Sequence, residues 1–185
     1  MSWRALADLM DSAAYYDRAF VKVVSDRAPT FRPEQRLEAE GLRRADANER
    51  RNYTFDARNA VLYETLTDVF PEARAIGYVP PISAWHVADL DKRGLLPGYL
   101  DALFATAQYF PVFLDFSIPS RVTMRTDTTY DGSHYLPEYN RSIGAALISG
   151  TPDGWGIDLK SLDRTTYGQR YIEALARFRA RRARD

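Results

Sequence analysis

At 185 residues the sequence is long enough for one ordinary domain, and its 45% apolar and 27% charged residues are typical of a soluble globular chain. The 25 basic residues equal the 25 acidic residues, a balance that argues against a nucleic-acid-binding protein. The chain has no cysteine, which excludes disulfides, thiolate nucleophiles and zinc sites built on cysteine.

The N-terminal segment is predicted to be an amphipathic helix. Its apolar positions follow the three-and-four spacing of one helix face: Leu6, Leu9, Met10, Ala13, Phe20, Val21 and Val24. Asp8, Asp11 and Asp17 interrupt any run that could serve as a signal peptide, and no run approaches the length of a membrane span. The sequence therefore predicts no membrane span, and it leaves open a cytoplasmic or a cell-envelope location.

The stretch "RLEAEGLRRADANERR" from Arg36 is rich in charge of both signs. We interpret it as a solvated helix or loop, with a phosphate-binding basic cluster as the alternative. A second amphipathic helix follows and is expected to end at Pro71. Its predicted inner face consists of Phe55, Asn59, Leu62, Leu66, Val69 and Phe70.

Two apolar runs, "ARAIGYVPP" and "FPVFLDFS", have the composition of buried strands. Between them lie two predicted helices, the first capped by Ser83 and the second within "LLPGYLDALFATAQ". Apolar strands that alternate with helices indicate an α/β fold with a parallel sheet covered on both faces. Two strands are few for such a sheet, so we expect that strands are missing and that they precede residue 1.

The C-terminal third contains two further predicted helices. Pro137 opens the first and Gly150 is its expected C-cap, with Tyr139, Ile143, Ala146 and Leu147 facing inward. A turn-rich segment then leads to a helix that ends in "RFRARRARD". Arginines favour a helix C-terminus because of the macrodipole; a lipid or nucleic-acid tether is the alternative.

Candidate functional residues follow the predicted strands, because ligands of open parallel sheets bind at the carboxyl edge. His86 follows the first strand, Asp115 ends the second, and the loop "TTYDGSHY" comes next. Within that loop, Asp131 and His134 have the residue types of an acid–base pair, in which the carboxylate orients the imidazole that accepts a proton from a serine. The alternative for this pair is a polar loop that happens to contain a histidine. The alternative for His86 is an ordinary histidine packed at the start of a helix.

A metal site built from Asp127, Asp131, His134 and His86 is a weaker hypothesis, and we predict none. No glycine-rich phosphate-binding motif occurs, so no cofactor is predicted either.

Four segments resemble the C-terminal half of SGNH-type (GDSL-like) hydrolases: "IGYVPPISAWHVADL", "PVFLDFSIPS", "TTYDGSHYLPEYNRSIGAALISG" and "GWGIDL". The resemblance covers roughly residues 55 to 160. It implies a flavodoxin-like three-layer α/β/α fold whose last motif is an Asp-x-x-His before the final core helix, here Asp131 and His134. An aromatic residue and a proline follow that motif in the family, here Tyr135 and Pro137. The resemblance thus implies that Asp131 and His134 are catalytic, and we assign His86, Asp115 and Tyr135 to substrate binding.

The family's other catalytic motifs are missing from this sequence. The Gly-Asp-Ser turn that carries the nucleophile is not present, since Ser12 in "LMDS" lacks the glycine and lies in a helical pattern. The Gly-x-Asn-Asp block of the oxyanion hole is not present either, since Asn48 lies in the charged segment. We therefore expect little or no esterase activity from this polypeptide alone.

The sequence is thus interpreted as a single α/β domain over residues 1–185, a partial flavodoxin-like fold with a short parallel sheet and extra N-terminal helices. Residues 1–54 form a helical segment with a charged loop, 55–150 the SGNH-like core, and 151–185 a turn-rich segment with a basic helix. The leading functional hypothesis is hydrolysis or transfer of an ester-linked acyl group, with an acylated carbohydrate or another ester as substrate. The alternative is a non-catalytic scaffold or binding protein whose exposed sheet edge is covered by a partner, such as a missing N-terminal half, or by a second copy.

Overall fold

The structure, a computed structural model, describes residues 31–35, 55, 57–69, 71–152 and 154–184. Its helices and strands follow in the order α1 (Val61–Val69), β1 (Ile76–Val79), α2 (Ala84–Lys92), α3 (Leu96–Ala107), β2 (Val112–Asp115), α4 (Pro137–Ser149), β3 (Ile157–Asp158) and α5 (Arg164–Arg182). Short 3₁₀ turns precede α1 (Ala57–Ala60) and α5 (Leu159–Ser161). The predicted N-terminal helix and the charged segment after Arg36 lie outside the described residues.

The sheet has the strand order β1-β2-β3 and is mixed. β1 and β2 are parallel, with Ile76 opposite Val112 and Val79 opposite Asp115, as the sequence predicts. β3 pairs antiparallel with β2 and was not predicted. This strand is only two residues long, so its sequence carries no alternation that a pattern could reveal.

Helices cover both faces of the sheet. Neighbouring residues of β2 point to opposite faces, and their contacts show which helices lie on each side. Phe113 packs in a core with the buried residues of α2, α3 and α5, whereas Leu114 packs with Ile143 and Ala146 of α4. The predicted α/β architecture is therefore confirmed in outline, with a smaller and mixed sheet in place of a purely parallel one.

The predicted helix ends are confirmed where the structure describes them. The Ser83 hydroxyl accepts a hydrogen bond from the backbone N–H of His86 and caps α2. Pro137 occupies the first turn of α4, and Gly150 ends that helix with a φ of 72°, a conformation that glycine adopts without strain. These local signals depend only on neighbouring residues, which is why the sequence suffices to locate them.

The prediction for the face of α1 was wrong. Leu62, Leu66 and Val69 were expected to face inward, yet they are 66%, 53% and 61% exposed. The helix is held through its preceding 3₁₀ turn, which packs on α3, and through an edge contact between the rings of Tyr63 and Phe110. No other described element covers the apolar residues of α1, which therefore stay exposed.

No helix among the described residues combines the length and apolarity needed to cross a bilayer.

Candidate functional site

The candidate site is built on a compact loop, residues 129–135, between β2 and α4. The side chain of Thr129 organises the loop: its hydroxyl donates to the carbonyl of His134 at 2.8 Å and accepts from the N–H of Gly132 at 2.9 Å. The N–H of Tyr130 donates to the same His134 carbonyl at 2.9 Å. These bonds close the loop on itself, so that Asp131 and His134 project from a defined turn.

The 129–135 loop is docked against the start of α2. The backbone N–H of Ser83 donates to the carbonyl of Gly132 at 2.8 Å. Gly132 has a φ of +90°, and a Cβ there would lie 2.8 Å from the ring of Phe31 and 3.1 Å from that of His86. Only glycine fits this position, because the backbone is left-handed and two rings already fill the space of a side chain.

Asp131 and His134 form the pair that the sequence predicts. Oδ2 of Asp131 lies 2.7 Å from Nδ1 of His134, and Oδ1 accepts from the backbone N–H groups of Ser133 and His134 at 2.9 and 2.8 Å. The side chain of His134 is 64% exposed and that of Asp131 34% exposed. A carboxylate on Nδ1 retains the proton on that nitrogen and leaves Nε2 as the nitrogen with a lone pair.

His134 opens onto a cleft of about 360 Å³ between the end of β1 and the helix α4. Its lining is apolar along Pro80, Pro81 and the α4 face, and polar at the loop. Tyr78 and Asn140 also line the cleft, although the sequence did not single them out. Tyr78 alternates with buried Gly77 on β1 and is 47% exposed, and an exposed aromatic residue in an apolar strand was the signal available for it.

Tyr135 also lines the cleft, but its side chain is 3% exposed and its hydroxyl has no hydrogen-bond partner in the described part of the chain. Burial raises the pKa of Tyr135 well above its usual value, and the nearby charge of Asp131 adds to the effect. The phenol is therefore a neutral group that borders the cleft. Its predicted contact with substrate stays a prediction.

His86 does not line this cleft. Its Nδ1 lies 2.9 Å from the Ser83 hydroxyl, and its ring lies next to Gly132. The ordinary interpretation, a histidine packed in the first turn of a helix, therefore describes its position. The structure gives no support to a contact between His86 and a substrate in this cleft.

Asp115 is the clearest departure from the predicted site. Its side chain is fully buried, and its oxygens contact Ser117, Tyr167 and Tyr171 at 2.5 to 2.7 Å. It lies on the face of the sheet covered by α5, since it alternates with Leu114, whose side chain packs under α4. An assignment of Asp115 to substrate binding is thus contradicted by its position, because no substrate reaches a carboxyl enclosed by the core.

The residues of the metal hypothesis are not gathered into one site. Asp127 forms an exposed two-pronged ion pair with Arg125, and the guanidinium lowers the pKa of that carboxyl. Among the described residues, no three His, Asp or Glu side chains are arranged to hold a metal ion.

Replacing Asp131 with asparagine is expected to change the tautomer of His134. Asparagine keeps the oxygen that caps the loop but loses the charge that holds the proton on Nδ1. Long-range ¹H–¹⁵N spectra of the neutral ring should show the Nδ1–H form in the wild type and a shift toward Nε2–H in Asp131→Asn. Asp127→Asn, an aspartate of the same connection outside the cleft, is the control and should leave the spectrum unchanged. An identical tautomer in all three proteins would contradict the pairing.

Comparisons with known proteins identify no relative of this chain. A scan against protein-family models, a search of curated proteins and a search of solved structures each find no match for this chain.

Proposed function

We propose that this chain carries the acid–base part of an SGNH-type site that hydrolyses or transfers an ester-linked acyl group. His134 is the general base and Asp131 is the carboxylate that orients it. The observation that carries the proposal is the 2.7 Å contact between Asp131 and Nδ1 of a histidine whose ring lines an open cleft. The flavodoxin-like arrangement of the fold belongs to the same proposal.

The chemistry assigned to the pair follows from its geometry. Nε2 takes the proton of a serine hydroxyl as that oxygen attacks the acyl carbon, and the carboxylate of Asp131 stabilises the imidazolium that forms. When the bond to the leaving oxygen breaks, Nε2 returns the proton to it. A water molecule then repeats the same steps on the acyl-enzyme, or an acceptor hydroxyl does so in a transfer reaction.

The position of the loop between its neighbouring elements also supports the proposal. A buried strand (β2), the Asp-x-x-His loop and a proline-initiated helix (α4) follow one another, as in the family that the sequence resembles. Among the described residues no strand pairs with the outer edge of β1, and the apolar face of α1 is exposed; both features fit a sheet that continues in further strands. We assign the serine and the oxyanion-hole donors to the same part of the protein, outside the described residues.

The substrate class rests on the lining of the cleft. Prolines and the aliphatic residues of α4 suit an acyl chain or the apolar side of a ring, and Asn140 and the loop offer hydrogen bonds to hydroxyl groups. An acylated carbohydrate or another ester of a polar alcohol fits this combination.

The test uses the fact that the natural chain contains no cysteine. A single cysteine introduced into the cleft as Tyr78→Cys or Asn140→Cys should react with iodoacetamide faster when His134 is present, because a general base raises the thiolate fraction. We expect alkylation at one of these positions to slow about threefold or more when His134→Ala is added. Ile148→Cys, on α4 and 82% exposed, is the control and should react at one rate with or without His134.

Rates at both cleft cysteines that do not depend on His134 would contradict its role as a general base. Hydrolysis of p-nitrophenyl acetate by the unmodified chain supplies the second measurement, and we expect no difference from His134→Ala. A rate that His134→Ala abolishes would instead mean that this chain contains its own nucleophile.

The alternative is a non-catalytic scaffold, and the exposed apolar residues Leu62, Leu66 and Val69 of α1 favour it. A scaffold of this kind would associate with a second copy through that face. Light scattering after size-exclusion chromatography separates a stable dimer from a monomer. A dimer combined with alkylation rates independent of His134 would favour the scaffold over the hydrolase.

A further inference from the structure

Six oxygen atoms form a hydrogen-bond network around the buried end of β2. Ser117 Oγ lies 2.7 Å from Asp115 Oδ1, while Tyr167 and Tyr171 hydroxyls lie 2.7 and 2.5 Å from Oδ2. The same Ser117 Oγ contacts the hydroxyls of Tyr171 at 2.8 Å and Tyr99 at 2.9 Å. The network therefore contains five short oxygen–oxygen contacts and connects α3 and α5 to the loop after β2.

The number of protons in this network can be counted. Each short contact between two oxygens needs one proton, because two facing lone pairs repel each other. The serine and three tyrosines supply four hydroxyl protons for the five contacts. With an ionised carboxylate, one contact is left without a proton.

We infer that Asp115 is a neutral carboxylic acid in the folded protein and that its proton completes this network. The contacts among Asp115, Ser117 and Tyr171 then form a ring in which every member donates once and accepts once. The ring is satisfied in either direction, since the acid can donate from Oδ1 to Ser117 or from Oδ2 to Tyr171. Tyr99 donates into the ring at Ser117, and Tyr167 donates into it at Oδ2.

The surroundings of the carboxyl favour its neutral form. Asp115 is fully buried, and the titratable groups that act on it are Tyr99 on α3 with Tyr167 and Tyr171 on α5. Burial is the largest influence on the pKa of Asp115 and raises it, while the hydrogen bonds from Tyr171, Ser117 and Tyr167 act in the opposite direction. Burial also raises the pKa of the three tyrosines, and none of the described cations acts on the Asp115 carboxyl. A buried carboxylate without a positive partner is costly, whereas a neutral acid in a complete ring is not.

This hydrogen-bond network links α5 to the sheet, and its contribution to stability depends on pH. The pKa of Asp115 is higher in the folded state, so the folded protein binds more protons than the unfolded chain at pH values between 3.8, the usual value of an aspartate, and the folded value. The stability that the network contributes through the Asp115 proton is therefore fully present below about pH 3.8 and is lost as the pH rises through the folded pKa. Asp127, whose pKa is lowered by Arg125, contributes with the opposite sign.

Two matched pairs of variants test the inference. Asp115→Asn keeps a donor and an acceptor but cannot ionise, so its urea midpoint should stay within about 0.5 M of the wild type at pH 5. As the pH rises, the urea midpoint of the wild type should fall relative to that of Asp115→Asn, because only the wild type can lose the carboxyl proton. Asp127→Asn should lack this trend.

Infrared spectra in D₂O at neutral pD provide the second readout, through the C=O stretch of a neutral carboxyl. The band should be present in the wild type, absent in Asp115→Asn and unchanged in Asp127→Asn. Tyr171→Phe leaves three contacts and three hydroxyl protons, so the proton on Asp115 is no longer required and the band should weaken. Tyr167→Phe leaves four contacts and three hydroxyl protons, so the band should remain.

A wild-type spectrum without the band would overturn the inference. So would an Asp115→Asn variant that unfolds at a much lower urea concentration than the wild type at neutral pH, since that result requires charge-assisted bonds to an ionised carboxylate. Equal weakening of the band in Tyr167→Phe and Tyr171→Phe would also contradict the ring, because a purely structural role makes the two tyrosines equivalent.

Discussion

Replacement of Gly77 with alanine is expected to destabilise the protein by about 3 kcal/mol, at the upper end of what overpacking typically costs. Gly77 lies in β1 directly opposite Phe113 of β2, and the Phe113 ring covers it. A Cβ would lie 2.3 Å from Cδ2 of Phe113 and 3.0 Å from the ring of Phe110. Both rings are buried, so neither can move aside without disturbing the core.

Urea unfolding measures this effect, with Gly144→Ala as the matched control. Gly144 lies within α4 and has nothing within 4 Å of an added Cβ, so alanine there should stabilise the helix by roughly 0.5 to 1 kcal/mol. Adding Phe113→Leu to Gly77→Ala should recover part of the loss, since the smaller side chain relieves the contact. A Gly77→Ala protein as stable as the wild type would show that the sheet and its aromatic cover are not packed as described.

Replacement of Gly132 with alanine is expected to cost about 2 kcal/mol and also to disturb the acid–base pair. The backbone strain arises because φ is +90°, and crowding arises because a Cβ would lie 2.8 Å from the ring of Phe31. Gly132 accepts from Ser83 through its carbonyl and follows Asp131 directly, so a shift of this residue moves the carboxylate away from His134. The tautomer of His134 should therefore change together with the stability.

Gly94→Ala isolates the contribution of backbone strain. Gly94 has a φ of +69°, and nothing lies within 4 Å of an added Cβ. The free energy of unfolding of Gly94→Ala should therefore fall by about 1 kcal/mol from backbone strain alone. Thermal or urea unfolding gives the difference between the two variants, and NMR of the His134 ring gives the effect on the site. If Gly132→Ala loses no more stability than Gly94→Ala and keeps the Nδ1–H form, the docking of the loop against Phe31 and His86 is not what positions the pair.

The two glycines act at different levels of the structure. Because Gly77 has no side chain, the rings of Phe113 and Phe110 can pack directly on β1, and these rings fill part of the core under α3. Gly132 allows the 129–135 loop to lie against the start of α2, which determines where Asp131 and His134 project. The proposed site therefore depends on the stability of its supporting contacts as well as on its own residues.

The candidate site could be predicted from the sequence only where its chemistry is local. Asp131 and His134 are three residues apart in one tight turn, so their contact needs no information about the remaining chain. His86 and Asp115 also follow predicted strands, and the same reasoning assigned them to the site. The structure places His86 outside the cleft and Asp115 in the core, because the packing of the sheet and its helices decides on which side of the sheet a side chain lies.

The sequence by itself determined the elements with strong local signals. Apolar runs identified β1 and β2, Ser83 and Gly150 marked helix ends, and the three-residue spacing of Asp131 and His134 predicted that their side chains can meet. Only the tertiary structure decided that β3 pairs antiparallel with β2 and that the apolar face of α1 is exposed. It alone decided that Asp115 contacts two tyrosines of α5, and Tyr99 of α3 through Ser117, because these residues lie up to 56 positions away from Asp115 along the chain and only folding brings them together.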